Sequence, residues 1–108
     1  MTIDKTQWPF TDPDLQLKDL GYDVYWSKVR DADDNWIGIL EWHQCDSMNV
    51  TDSGVAAGGV NFENAPDHVQ GPRWHLAQEE PLTITPSVRC RTCGLHGFIT
   101  DGKWVPCD

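Results

Sequence analysis

Cys90-Arg91-Thr92-Cys93-Gly94-Leu95-His96-Gly97 places two thiols and an imidazole within seven residues, around a glycine. A short turn of this kind offers soft ligands to a single metal ion. Far upstream, His43-Gln44-Cys45 supplies a second thiol–imidazole pair. One ion held between the two clusters would join distant parts of the chain. That reading decides the expected fold class: mainly β, a small single domain of hairpins stapled by one structural zinc, with an irregular N-terminal arm. Four-coordinate structural sites close every position with thiolate or imidazole. Cys90, Cys93, His96, His43, Cys45 and Cys107 are six donors for four positions, so spacing alone leaves the set open.

The segments around these clusters have strand character. Residues 22–29 are rich in aromatic and β-branched side chains, and residues 36–43 resume the pattern after the turn-forming run Asp31-Ala32-Asp33-Asp34-Asn35. The resulting hairpin delivers His43 and Cys45 at the end of its second strand. Residues 55–62 hold one weak strand within a glycine-rich middle section. Residues 73–78 and 82–85 bracket the turn Glu79-Glu80-Pro81. Residues 97–100 and 103–105 form a tight hairpin about Asp101-Gly102, a dipeptide whose two members both tolerate positive φ. Residues 1–20 carry Pro9, Pro13 and several acids without sustained periodicity and are expected as an arm. The stapled domain is expected over residues 21–108. The turn run with Asp31, Asp33 and Asp34 lacks the glycine and terminal glutamate of a calcium loop and is expected as a solvated turn.

Composition bounds the function. A chain of 108 residues has room for one domain. Six tryptophans (Trp8, Trp26, Trp36, Trp42, Trp74 and Trp104) can each bury roughly 150–250 Å² and are expected mainly as packing residues. The formal net charge is −9, with only eight lysines and arginines, so the basic face that nucleic acid binding requires is missing. Arg89 and Arg91, beside the knuckle, are the one local exception. No apolar run approaches the roughly 20 residues that span a bilayer, and the first residues lack the apolar core of a signal peptide. A cytoplasmic location follows as the expectation. There thiols stay reduced, and clustered cysteines and histidines serve metals rather than disulfides. His68 and His75 stand apart from the clusters and are expected as surface or structural residues.

The stretch Leu82-Thr83-Ile84-Thr85-Pro86-Ser87-Val88, then Cys93-Gly94-Leu95-His96-Gly97-Phe98-Ile99, then Gly102-Lys103-Trp104, resembles a family of small zinc-binding proteins of unknown function. Its members occur in actinobacteriophage genomes, and related proteins sit in bacterial operons beside ubiquitin-like conjugation enzymes. The family pattern has an upstream His-x-Cys, a Ser-Pro-Ser-Ile-like strand, a Cys-x-x-His and a glycine-containing hairpin. His43-Gln44-Cys45 and Cys93-Gly94-Leu95-His96 match the first and third of these. The resemblance covers roughly the second two-thirds of the chain. It implies His43, Cys45, Cys93 and His96 as the ligand set and Zn2+ as the cofactor.

Two cysteines and two histidines would leave no open position for substrate, so the metal is expected to be structural. Glu41 shares a strand face with His43, and Asp46 follows Cys45. Neither makes a deaminase-type motif, because the order is Glu41-Trp42-His43 and no proline precedes Cys90. No Ser/His/Asp set or phosphate-binding loop stands out. The expectation is therefore not an enzyme but a phage-type protein-interaction module with a host or phage protein as partner, located in the host cytoplasm. The alternatives are a virion-associated structural protein and a zinc-dependent hydrolase.

Overall fold

A computed structural model describes residues 3–45 and 51–107. Asp46 lies outside the described residues. Eight strands and no helix occur among them: β1 Lys18–Gly21, β2 Val24–Arg30, β3 Trp36–His43, β4 Ala56–Asn61, β5 His75–Gln78, β6 Thr83–Arg89, β7 His96–Thr100 and β8 Lys103–Pro106. They form two antiparallel four-stranded meanders, β1-β2-β3-β4 and β5-β6-β7-β8. The expected all-β architecture of successive hairpins is therefore the observed one.

Period-two alternation explains why the sheets stack. Val24, Trp26, Ile39 and Val60 lie on one face of the first sheet. They join Ile84, Val88, Ile99 and Trp104 of the second sheet, with Leu82 just before β6, in a single buried cluster. Each fully buried side chain of this size contributes about 1.5–3 kcal/mol relative to exposure. Trp36 and Trp74 pack on its margin, and Trp36 stacks on Trp26 at 6.0 Å.

The opposite face of the first sheet is covered as well. Tyr25 and Trp42 point there and meet Ile3, Phe10, Leu15 and Leu17 of the N-terminal segment. Phe10 packs edge-on to Tyr25 at 5.0 Å, and Trp8 edge-on to Trp42 at 5.7 Å. The buried indole N–H of Trp42 donates to Ser27 Oγ at 3.0 Å. Residues 3–17 form no strand, as expected of an irregular arm, and they cover this face as a third layer. The expected boundary at residue 20 falls inside β1, where Leu20 belongs to the main core.

Turn chemistry sets the hairpins. Asp31 accepts hydrogen bonds from the backbone N–H of Asp33 and Asn35 and from the Asn35 amide. These hold its carboxyl below the usual carboxylate range, the Asn35 side chain contributing most. Asp101-Gly102 turns with φ of 51° and 72°. Tyr22-Asp23, at φ of 57° and 60°, makes the same kind of turn between β1 and β2. Residue 22 is thus a turn residue and not the start of a strand.

Candidate metal centre

The inter-sheet packing brings the end of β3 against the turn between β6 and β7. His43, Cys45, Cys90 and Cys93 each present one donor atom there, all within 4.8 Å of one another. They are close enough to bind one metal ion. His43 Nε2 lies 3.3 Å from Cys93 Sγ, and Cys45 Sγ lies 3.9 Å from Cys90 Sγ. A tetrahedral thiolate–imidazole centre has donor–donor edges of about 3.5–3.8 Å, so these spacings suit four-coordination. All four cysteines are free.

Local structure aims each donor. In β3 the side chains of Ile39, Glu41 and His43 share the face toward the second sheet, because Glu41 stands opposite Trp26 and Ile39 opposite Val60. The knuckle closes through Gly94 N–H to Cys90 O at 2.9 Å and Cys90 N–H to Leu95 O at 2.7 Å. Gly94 adopts φ of +84°, which a side chain would strain.

Electrostatics prepares the cluster for a cation. Buried Glu41 places Oε2 2.5 Å from His43 Nδ1, leaving Nε2 for the metal. A carboxylate behind a ligating imidazole fixes its orientation and raises its basicity. Burial opposes charge on His43, but the hydrogen bond and negative charge of Glu41, with Cys90 behind them, raise its pKa overall. At Cys90, desolvation is outweighed by the backbone N–H groups of Cys93 and Thr92 and by the Cys93 and His43 side chains, which bring the thiol down to about 6. Desolvation and the neighbouring sulfurs of Cys90 and Cys45 push Cys93 up to about 11. One thiolate therefore forms readily while the next is held back by it; a bound cation removes that repulsion.

The structure brings together three of the four residues implied by the resemblance, His43, Cys45 and Cys93, and adds Cys90. His96 lies outside this group. It opens β7 opposite Arg89 and faces away from the core, while Gly97 takes the inner position. The Cys-x-x-Cys-Gly spacing of the knuckle was the signal in the sequence for Cys90. Cys107 does not join the cluster; its backbone N–H donates to His96 O at 2.9 Å. His75 pairs with Glu63 in the open, and His68 is exposed.

His96 has a different partner. Its Nε2 lies 2.8 Å from Ser87 Oγ, and both residues are half-buried. The pairing of β6 with β7 slips between Ile84↔Ile99 and Val88↔Gly97, so residues 85–87 stand against Phe98 alone. This bulge re-aims Ser87 toward His96. The indole N–H of Trp74 donates to Ser87 O at 3.1 Å and anchors the backbone there. Among the described residues no carboxylate forms an ion pair with His96. Sequence reading found no Ser/His set because these residues are nine apart and only the bulge joins them.

No curated protein and no solved structure matches this chain. Over residues 56–107, just under half of its length, the chain is similar to the family described as bacterial ubiquitination-like system serine protease (BubE).

Proposed function

We propose that this protein is a serine hydrolase of peptide or isopeptide bonds in a bacterial ubiquitination-like system, with a structural zinc beside its active site. The observation that carries the reading is the 2.8 Å contact between Ser87 Oγ and His96 Nε2. Both residues fall within the part similar to a family described as a serine protease. With Nε2 unprotonated, the Ser87 hydroxyl donates to it. His96 takes that proton as Oγ attacks a carbonyl carbon, and returns it to the departing amine. An acyl ester on Ser87 remains. Water, deprotonated by the same imidazole, then releases the acid.

Three thiolates and one imidazole favour zinc among divalent ions. Four protein donors leave no open coordination position, so the metal's role is to hold structure rather than to activate water. Cys90 follows Ser87 by three residues, and Cys93 precedes His96 by three. The ion thus fixes the turn that spaces the reacting pair.

A fluorophosphonate probe is the test. It is expected to label Ser87, and Ser87→Ala and His96→Ala are expected to abolish labelling while each retains one equivalent of zinc. Labelling unaffected by Ser87→Ala, or zinc lost with His96→Ala, would overturn the assignment.

A second reading, an interaction module, is favoured by the cross-strand pair Phe98–Val105, whose side chains are 40% and 45% exposed. A partner held by this surface would be released by Phe98→Asp, with labelling of Ser87 unchanged.

A further inference from the structure

Five of the eight basic side chains in this chain are used by the fold itself. Lys5, Lys18 and Lys28 lie over the rings of Tyr25, Trp26 and Trp36. Arg30 pairs with Asp34 at 3.5 Å. Arg73 donates to the carbonyls of Phe62, Ala65, Pro66 and Val69 and so organises the loop between β4 and β5. Lys103 is at the far end of the β7–β8 hairpin, opposite Thr100. Arg89 and Arg91 remain. Both are exposed, and among the described residues neither forms an ion pair.

They are also placed together. Gly59, Pro72, Trp74, Ser87, Arg89 and Arg91 line one groove of about 450 Å³. An adjoining cleft of about 200 Å³ shares Gly59, Trp74, Arg89 and Arg91 and runs toward the metal cluster. One wall is β4, an edge strand of its sheet, whose last residue, Asn61, accepts from the Trp74 backbone N–H at 2.8 Å. Gly58, opposite Glu41 on the face toward the second sheet, lines this cleft, and a Cβ built there would meet only Glu41 Oε1 at 3.9 Å, so this wall leaves room for another backbone. The part of a strand edge that is left unpaired can pair with an extended segment.

We propose that this groove takes an extended peptide segment bearing carboxylates, with Arg89 and Arg91 as its anchors beside Ser87. The segment is substrate if the serine-hydrolase reading holds; the binding itself does not depend on that reading. Guanidinium–carboxylate contacts are charge-assisted and directional, and here they would act against the protein's overall negative field. Recognition is therefore local, set by these two side chains and not by long-range steering.

The test uses the full-length, metal-loaded Ser87→Ala protein and a fluorescent, N-acetylated and C-amidated short peptide carrying adjacent glutamates in a Gly/Ser background. Anisotropy is compared with the same peptide carrying glutamines, with lysines, and with a single-stranded DNA of similar length. The glutamate peptide is expected to bind about tenfold or more tighter than the glutamine peptide. Arg89→Gln and Arg91→Gln are each expected to remove most of that preference. Equal binding of the glutamate and glutamine peptides, no binding of either, or tighter binding of the DNA overturns the proposal. Fluorophosphonate labelling of the parent protein is read in parallel. A glutamate preference without labelling leaves the groove a binding site and removes the hydrolase reading alone; labelling without the preference does the reverse.

Discussion

At the scale of single residues, Glu41 and Cys90 carry the most weight. Glu41 is almost wholly removed from water and touches the imidazole nitrogen that faces away from the candidate metal centre. Its replacement by glutamine keeps the shape but removes the charge that makes His43 a strong donor. We predict that Glu41→Gln weakens metal affinity about 10–100-fold, measured by competition with a chromogenic chelator. Unchanged affinity would mean that the carboxylate does not act through His43. Cys90 was legible in the sequence as one of six candidate donors, because Cys-x-x-Cys-Gly is a turn that points two sulfurs to one side. What spacing could not provide was the choice between Cys90 and His96. That choice depends on strand register, which sends residue 96 outward and leaves the knuckle thiol beside Cys45.

At the scale of elements, the β6–β7 pair does two jobs through one irregularity. Its bulge turns Ser87 toward His96, and its inner face packs Gly97 under Trp104. A Cβ at Gly97 would lie 2.5 Å from the indole of Trp104 and 2.8 Å from Val105 O. Gly97→Ala should therefore cost about 1–3 kcal/mol in urea unfolding, with the midpoint moving and the slope unchanged. The β2–β3 hairpin gives a pH-dependent counterpart. The folded pKa of Asp31 is depressed, so its contribution to stability is complete above its unfolded value near ~4 and is lost as pH falls through the lower folded value. Melting temperatures from pH 2 to 5 should fall less steeply for Asp31→Asn than for the parent. This hairpin was readable because an aspartate-rich turn separates two runs of strand formers. β1 was not, because Lys18–Gly21 is short and mostly polar. Its turn also uses tyrosine and aspartate at positive φ, where sequence rules expect asparagine and glycine.

For the whole molecule, three layers share two interfaces. The first sheet sits between the second sheet and the N-terminal segment, and the candidate metal centre closes the first of those interfaces at one edge. Removing the ion should loosen that edge and release the Ser87–His96 spacing with it. Chelation is expected to lower the melting temperature by on the order of 15 °C or more and to suppress fluorophosphonate labelling in parallel. A melt indifferent to chelator would show that the inter-sheet core suffices alone. Because one half of the donor set rides on each sheet, an ion cannot find all four ligands in a chain whose meanders have formed but not yet met. Capture would then be a late step in the maturation of the protein, and the rate at which added metal becomes resistant to a competing chelator would serve as a clock for the docking of the two halves.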